Sequence, residues 1–261
     1  MTLQMTAVNA GPLTCPKNTL AAFATGEITI PSTVAIFQHP QHGVVLWDTG
    51  INDAVADPER AEAYWGAGNK EKFGADHFKR DDAIDRKLDK LGIQPKDVRY
   101  VVYSHLHLDH AGGMSYFPNA VHVVQRDEVR NALFPADWTS SVYCGPDLRD
   151  IRKLNVLEID GDFDLFADGT FRLVKSPGHT PGMQMLFVTL PNRGRFILGG
   201  DVGHLRDKYN EMIPMPWDWN AAEVNLSRKR VQHWERLGIP LFLCHDPGDF
   251  AKLPTDGTHW D

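Results

Sequence analysis

Four side chains that commonly bind metal ions fall within six residues of this 261-residue chain. The stretch reads His105-Leu-His107-Leu-Asp109-His110 and follows directly on Ser104. If the chain stays extended here, His105 and His107 point to the same side, because side chains alternate with a period of two. Asp109 and His110 are adjacent, so they diverge and could serve a second centre beside the first. The spacing therefore indicates a metal site, with room for two centres.

The surrounding residues place this stretch at the end of a strand. Residues 100–103 are β-branched or aromatic, which is typical of a buried strand, and Gly112 and Gly113 allow a tight turn after the motif. A single histidine is usually a surface residue or a satisfied core residue. Imidazole and carboxylate groups crowded at this density are costly unless a cation compensates them. We therefore interpret the stretch as a metal-binding loop.

The pattern His-x-His-x-Asp-His resembles the metallo-β-lactamase superfamily of metal-dependent hydrolases. The resemblance implies further ligands, and the chain supplies them in order: His179 in Ser-Pro-Gly-His-Thr-Pro-Gly, Asp201 in Gly-Gly-Asp and His245 in Cys-His-Asp. Each follows or ends an apolar run, so all of them are expected at one edge of a sheet. The resemblance also implies that Asp48, in Asp48-Thr-Gly, supports a ligand histidine, since ligating histidines usually donate their other N–H to a carboxylate.

Seven candidate ligands are too many for one tetrahedral zinc ion, which takes three or four. The family pattern implies that one cation is held by His105, His107 and His179, that a second is held by Asp109, His110 and His245, and that Asp201 bridges them. Nitrogen and oxygen donors without thiolate suit Zn²⁺ first, with Mn²⁺, Fe²⁺ and Co²⁺ as alternatives. Cys244 ends an apolar run, so we interpret it as a small buried residue.

The elements that must position these residues follow from hydrophobic periodicity. Strands are predicted over 34–38, 44–48, 100–103, 121–124, 171–175, 185–190, 196–199 and 240–244. Helices are predicted over 81–91, 126–133 and 221–237. Residues 1–33, broken by Pro12, Pro16 and Pro31, and the tail after Asp246 are expected to be irregular. Residues 51–80 fit either a lid near the site or plain core packing.

The alternation of strands and helices leaves two sheets covered by helices and a doubly wound sheet both open. The resemblance implies the first: an α/β (α+β) fold, a four-layer αββα sandwich with its site at one edge between the sheets. At 261 residues, one metallo-β-lactamase-like hydrolase domain spanning 1–261 is expected.

Composition excludes several classes of partner. A net charge of −7 argues against a nucleic-acid surface, and no apolar run reaches the ~20 residues that cross a bilayer. Three cysteines without a Cys-x-x-Cys pair, and an N-terminus without the pattern of a signal peptide, favour a cytoplasmic location. A homodimer stays open.

Within the superfamily, the chain is most similar to the N-acyl homoserine lactonases, the quorum-quenching enzymes. The features that carry this are the length, the motifs His-Leu-His-Leu-Asp-His-Ala-Gly-Gly and Ser-Pro-Gly-His-Thr-Pro-Gly, and the run Ile-Pro-Ser-Thr-Val-Ala-Ile-Phe at 30–37 that leads to Asp48-Thr-Gly. The resemblance implies a small-molecule lactone substrate and ring opening by a hydroxide that bridges the two metals. Asp109 could also pass the proton to the leaving group. Five apolar residues near ligands in sequence are candidate walls for an acyl chain: Leu108, Met183, Met215, Trp217 and Trp219.

Other hydrolases remain open at this point. A thioester hydrolase of the glyoxalase II type would use the same metals but needs a basic cluster near the C-terminus, where only Lys252 is present. Other lactones and esters are further alternatives. A non-catalytic binding module is disfavoured by the full set of ligands.

The chain departs from the lactonase pattern at His204. Many lactonases of this type place a tyrosine three residues after the bridging aspartate, where its hydroxyl contacts the substrate carbonyl. His204 is then either a loop residue facing water or a catalytic N–H donor to the developing oxyanion. We predict the donor role.

Overall fold

Two β-sheets make up the centre of the protein, in a computed structural model that describes residues 2–261 apart from the side chain of Lys208. The strands are β1 Gln4–Asn9, β2 Leu13–Pro16, β3 Glu27–Ile30, β4 Thr33–His39, β5 Gly43–Trp47, β6 Val98–Val102, β7 Val121–Gln125, β8 Asn155–Ile159, β9 Phe163–Asp164, β10 Phe171–Lys175, β11 Gln184–Leu190, β12 Gly194–Leu198 and β13 Leu241–Phe242. The α-helices are α1 Pro58–Trp65, α2 Asn69–Lys72, α3 Ile84–Lys90, α4 Arg126–Leu133, α5 Gly145–Leu148, α6 Arg206–Tyr209, α7 Ala221–Arg236 and α8 Pro247–Phe250.

The first sheet has six strands in the order β1-β4-β5-β6-β7-β8, and the second has five in the order β13-β12-β11-β10-β9. Strands β2 and β3 form a separate antiparallel pair. In β4, Ala35 and Phe37 face the core shared with the second sheet, while Val34 and Ile36 face the opposite side. This alternation buries both faces of the strand, as expected for a strand in the interior of a layered fold.

Helices cover the outer face of each sheet. Ile84 and Leu88 of α3, with Val129 of α4, pack on the first sheet, and Val231 of α7 packs on the second. The order of layers is therefore helix, sheet, sheet, helix. The four-layer αββα sandwich expected from the resemblance is confirmed.

The topology brings the ends of several strands to one edge. Strands β5 and β6 run parallel, and so do β12 and β13. Strand β10 runs antiparallel to β11, and β11 runs antiparallel to β12, so β10 and β12 point the same way. Residues that follow β5, β6, β10, β12 and β13 therefore leave the sheets on the same side, where ligands from both sheets can meet.

The predicted helix over 126–133 is confirmed to the residue, whereas the one over 81–91 is shorter, with Ile84–Lys90 preceded by a 3-10 turn over Arg80–Asp82. The prediction of irregular structure over 1–33 is wrong, because β1, β2 and β3 lie there. The prolines end or separate these strands without interrupting one, as expected for residues that cannot donate to the ladder. The tail is also more regular than predicted: it contains α8, and Trp260 forms a β-bridge with Met5. No helix within residues 2–261 combines the length and apolar character needed to cross a membrane.

Candidate metal centre

The first group of converging donors combines the loop after β6 with the loop after β10. His179 Nε2 lies 3.2 Å from His105 Nε2 and 3.1 Å from His107 Nδ1, and all three rings are buried. Ligand atoms about 2.0–2.1 Å from a tetrahedral zinc ion are roughly 3.3–3.4 Å apart. The three nitrogens are therefore spaced nearly as such an ion would hold them.

The second group lies beside the first. His110 Nε2 is 3.3 Å from His245 Nε2, and these nitrogens lie 3.5 and 3.3 Å from the Oδ1 and Oδ2 atoms of Asp201. Asp109 stands at the rim, with its Oδ2 atom 3.5 Å from His245 Nε2 and 3.8 Å from His110 Nε2. All four residues predicted for this centre or for the bridge are thus brought together.

Asp201 lies between the two groups. Its Oδ2 atom is 3.4 Å from His179 Nε2 of the first group and 3.3 Å from His245 Nε2 of the second. Although burial opposes ionisation, the neighbouring imidazoles of His245 and His110 hold the pKa of Asp201 well below its usual value. An ionised carboxylate in this position can contribute to both centres.

The donors have unmet bonding capacity that cations would satisfy. Within the described residues, Asp201 Oδ1 and both ring nitrogens of His204 are buried without a hydrogen-bond partner. Imidazole nitrogens that converge in threes cannot all hydrogen-bond to one another, because each neutral ring offers one donor and one acceptor. Buried polar atoms without partners are otherwise rare. The residues present therefore fit a pair of divalent cations.

The carboxylates around the second group favour positive charge there, in contrast to the first group. Burial lowers the pKa values of His105 and His107 well below the usual range. Burial acts on His110 in the same direction, but the carboxylates of Asp109, Asp201 and Asp48 raise its pKa to about 10. A site that binds a proton this tightly would also bind a cation, because both interact with the same carboxylates.

Asp48 contacts a histidine of the second group. Its Oδ2 atom accepts from His110 Nδ1 at 2.9 Å and from Ser104 Oγ at 2.8 Å, and its Oδ1 atom accepts from the Ser104 amide at 2.7 Å. Its backbone adopts φ 61°, a left-handed conformation that non-glycine residues seldom occupy. This strained residue is the one whose buried carboxylate is aligned with the His110 imidazole.

Two further supporting contacts escape sequence reasoning. His179 Nδ1 donates to Asp218 at 3.1 Å, and Asp218 also accepts from the Met215 amide at 2.7 Å. His245 Nδ1 donates to the carbonyl of Pro31 at 2.8 Å. The one available signal was a single carboxylate in the otherwise apolar run Met-Pro-Trp-Asp-Trp at 215–219. No signal in the sequence pointed to Pro31, because its partner is 214 residues away.

A cavity of about 370 Å³ opens onto the two groups. Its floor contains His107, Asp109, His179, Asp201, His204 and His245. Its walls are mainly apolar and come from Leu13, Leu20, Ile30, Phe73, Leu108, Trp138, Val142 and Trp217. A small ligand with a polar head and an apolar tail would match this division.

The candidate acyl contacts are distributed differently from the prediction. Leu108 and Trp217 line the cavity, and Met215 lies in an adjacent cleft that His204 also lines. Met183 is fully buried in the core between β11 and α7, so the structure corrects its prediction as a wall. Trp219 is also corrected, because its side chain is exposed and is not among the residues that line the cavity, although its amide donates to the His179 carbonyl.

His204 faces the site and not water. The residue is 3% exposed, its Nε2 atom lies 3.3 Å from Asp201 Oδ2, and its ring packs against Trp217 at 4.8 Å between centroids. The water-facing interpretation of His204 is therefore wrong. Cys244 is buried as predicted, and burial raises the pKa of its thiol well above the usual value, which favours the neutral form.

A family model of the metallo-beta-lactamase superfamily matches residues 29–244, which include every candidate ligand except His245, the next residue along the chain. The chain belongs to the metallo-β-lactamase superfamily. Among curated relatives, the N-acyl homoserine lactonase AttM of Azorhizobium caulinodans is 32% identical, with 87% of this chain and 88% of the relative covered. AttM of Agrobacterium fabrum is 34% identical with the same coverage, and the lactonase AiiA of Bacillus thuringiensis subsp. kurstaki is 28% identical over 79% of this chain and 78% of its own.

Solved structures of the superfamily share the fold along the whole chain. A structure of an N-acyl homoserine lactone hydrolase with the product N-hexanoyl-L-homoserine bound at its catalytic metal centre superposes with a TM-score of 0.80, at 23% identity and full coverage of both chains. AidC, described as a dizinc quorum-quenching lactonase, superposes with a TM-score of 0.71 at 18% identity, covering 94% of this chain and 88% of its own. At these identities the likeness supports the fold alone.

Proposed function

We propose that this metallo-β-lactamase-like protein, acting as a single domain over residues 1–261, opens the lactone ring of N-acyl homoserine lactones. The observation that carries the proposal is the position of two buried donor groups at the floor of a cavity with mainly apolar walls. The polar lactone and the acyl chain of such a substrate match these two parts. The names of relatives that share 32–34% identity over 87% of this chain support the same substrate class.

The proposed ligands follow the two groups. His105, His107 and His179 would hold one cation, Asp109, His110 and His245 would hold the second, and Asp201 would bridge them. We propose zinc for both positions, because the donors are nitrogen and oxygen atoms that lie close together. When bound, the two cations would supply a water that ionises near neutral pH and an electrophile for the carbonyl oxygen.

The protein's own residues complete the reaction. Addition of the water oxygen to the lactone carbonyl carbon forms a tetrahedral centre, and cleavage of the ring C–O bond then gives a carboxylate and an alcohol. Asp109, at the rim of the second group, is placed to receive the proton of the water and return it to the ring oxygen as that oxygen leaves. No residue has to form a covalent bond to the substrate.

His204 is the proposed donor to the oxygen that gains charge. It lines the cavity beside Asp201, and its ring nitrogens have no hydrogen-bond partner among the described residues. Burial lowers the pKa of His204, so the neutral ring keeps one N–H at neutral pH. A fixed N–H in a water-excluded site stabilises an oxyanion more than water does.

A panel of substrates tests the proposal. Zinc-loaded protein is assayed for acid release from N-acyl homoserine lactones of several acyl lengths, from a glutathione thioester and from a phosphoester. We expect the highest kcat/KM on the lactones, with longer acyl chains favoured until the apolar walls are filled. Faster turnover of the thioester would contradict the lactonase proposal and indicate a thioester hydrolase. Asp201→Asn protein serves as the control for activity from contaminating enzymes.

We also propose a cytoplasmic location. The three cysteines are all buried as free thiols, which fits a reducing compartment. Fractionation of the source cells with an antibody to the protein tests this, and recovery in an extracellular or periplasmic fraction would contradict it.

A further inference from the structure

Glu128 is a buried carboxylate at the start of α4, outside both donor groups. It is 0% exposed and accepts four hydrogen bonds, two at each oxygen. Oε1 accepts from the Leu106 amide at 3.0 Å and from the Tyr143 hydroxyl at 3.2 Å. Oε2 accepts from Thr180 Oγ1 at 2.5 Å and from the Gly182 amide at 3.2 Å. Burial raises the pKa of Glu128, and these four donors oppose that rise.

The two oxygens hold two different ligand loops. Oε1 binds the amide of Leu106, which lies between the ligands His105 and His107. Oε2 binds Thr180, which directly follows the ligand His179, and Gly182 two residues later. Because both oxygens belong to one rigid planar group, they fix the distance between the loop after β6 and the loop after β10.

The surrounding packing leaves little room for another arrangement. A Cβ atom at Gly182 would lie 2.2 Å from the Glu128 amide nitrogen, so the loop packs directly on the first residues of α4. The Tyr143 ring contacts the His107 ring edge-to-face, with centroids 4.7 Å apart. Glu128 therefore also fixes, through the Tyr143 hydroxyl, a ring that packs against one ligand.

The second donor group has separate supports. His110 is oriented by Asp48, and His245 is oriented by the carbonyl of Pro31. None of the four hydrogen bonds to Glu128 involves these residues. Ser104 Oγ, which donates to Asp48, lies 3.0 Å from His105 Nδ1 and 3.2 Å from His110 Nδ1, so the contacts around Asp48 reach both groups. The four hydrogen bonds to Glu128, in contrast, lie beside ligands of the first group only.

We infer that Glu128 is a positioning residue that sets the spacing of His105, His107 and His179 and thereby the cation affinity of the first centre alone. The inference rests on the two-cation site of the proposed function. Glu128→Gln leaves one acceptor oxygen for four donors and turns an amide N–H group towards two of them. Displacement of the ligand loops then relieves the unfavourable contacts, and this displacement weakens cation binding at the first centre.

The experiment measures cation release. Zinc-loaded protein is titrated with a competing chelator while the remaining zinc is counted by elemental analysis. We expect two equivalents in the parent protein and, in Glu128→Gln, about 10–100-fold weaker binding of one equivalent with the other unchanged, the range typical for residues that orient ligands. Thr180→Val, which removes one of the four donors, should produce a smaller change in the same equivalent.

Two combined variants identify which centre is affected. In a His107→Ala background, where the first centre is already disrupted, Glu128→Gln should have no further effect on zinc affinity. In a His110→Ala background the effect of Glu128→Gln should persist in full, because Glu128 and His110 act on different centres. Equal weakening of both equivalents, or additive effects in both backgrounds, would overturn the inference.

A matched control separates positioning from stability. Leu190 is a fully buried core residue at the end of β11 farthest from the site, and Leu190→Ala should lower the free energy of unfolding by about 2–5 kcal/mol. It should leave the affinity ratio of the two equivalents unchanged. If Glu128→Gln lowers the free energy of unfolding but leaves the affinity ratio unchanged, as expected for Leu190→Ala, the role of Glu128 is structural only. Unchanged zinc affinity in a Glu128→Gln protein that hydrolyses lactones would refute the role of Glu128 while the proposed function stands. Tight zinc binding without lactone hydrolysis in the parent protein would refute the proposed function and leave the role of Glu128 standing.

Discussion

Replacement of His204 by phenylalanine tests the proposed oxyanion donor most directly. The ring is buried against Trp217 and His179, so a phenyl ring of similar size keeps the packing and removes only the polar nitrogens. A lost donor of this kind lowers kcat by about 10²–10³-fold, or about 2.7–4 kcal/mol of transition-state stabilisation. We expect a fall of this size in kcat on a short-chain lactone, with KM changed far less, because the developed charge exists only in the transition state.

The metal content of His204→Phe separates two roles for the histidine. Its nitrogen lies within 4.8 Å of donor atoms of His179 and Asp201, so an additional ligand role is geometrically open. A donor leaves zinc stoichiometry at the parent value, whereas a ligand does not. His204→Gln, which retains an N–H, should recover part of the lost kcat. His39→Phe, at the buried histidine that ends β4, should leave kcat unchanged. Parent-like kcat in His204→Phe would show that the oxyanion is stabilised without this residue.

Other properties of the site and its surroundings can be tested in the same way. Asp201→Asn should reduce kcat and zinc content more than Asp48→Asn, because the first removes a bridge and the second only the orientation of His110; elemental analysis and kinetics on both variants decide this. Asp218→Asn should weaken one zinc equivalent by about 10–100-fold, measured by chelator competition, since His179 loses its carboxylate partner. Burial raises the pKa of Asp147 to about 7, so the folded state binds this proton more tightly than the unfolded chain. The contribution of Asp147 to stability is then full below pH ~4 and is lost as pH rises through 7, by at most about 4 kcal/mol. Chemical denaturation at pH 5 and 8 should show Asp147→Asn losing less stability than the parent across this interval; an equal loss would contradict the pKa shift.

The candidate ligands could be predicted from sequence because they lie in short motifs after apolar runs. His105 to His110 form one such motif, and strand-end placement brought His179, Asp201 and His245 to the same edge. The apolar runs of β4 and β5 and the 3.6-residue period of α7 were also readable locally. These features depend on neighbours within a few residues, which is the range over which a sequence pattern carries information.

The supporting residues could not be predicted, because their partners are distant in sequence. Glu128 on α4 reads as an ordinary charged residue of an amphipathic helix, and its role depends on Thr180 and Gly182 more than 50 residues away. Met183 was assigned to the cavity because it is near a ligand in sequence. Met183 directly precedes β11, however, and its side chain is buried in the core beneath α7.

The cavity walls were missed for a related reason. Leu13, Leu20 and Ile30 lie in a proline-containing segment that looked irregular, and Phe73 lies in a stretch that fitted a lid and core packing equally well. In the structure, Phe73 packs with the buried cluster around Trp65 and also lines the cavity.

Most of the cavity walls come from segments that carry no candidate ligand, which has a consequence for how the site can change. The ligands stand at the ends of strands from both sheets, whereas Leu13, Phe73 and Trp138 belong to a peripheral strand pair and to connecting segments. A substitution in these outer segments reshapes the space for the acyl chain without moving a strand that carries a ligand. The shape of the cavity walls can therefore change while both donor groups stay in place.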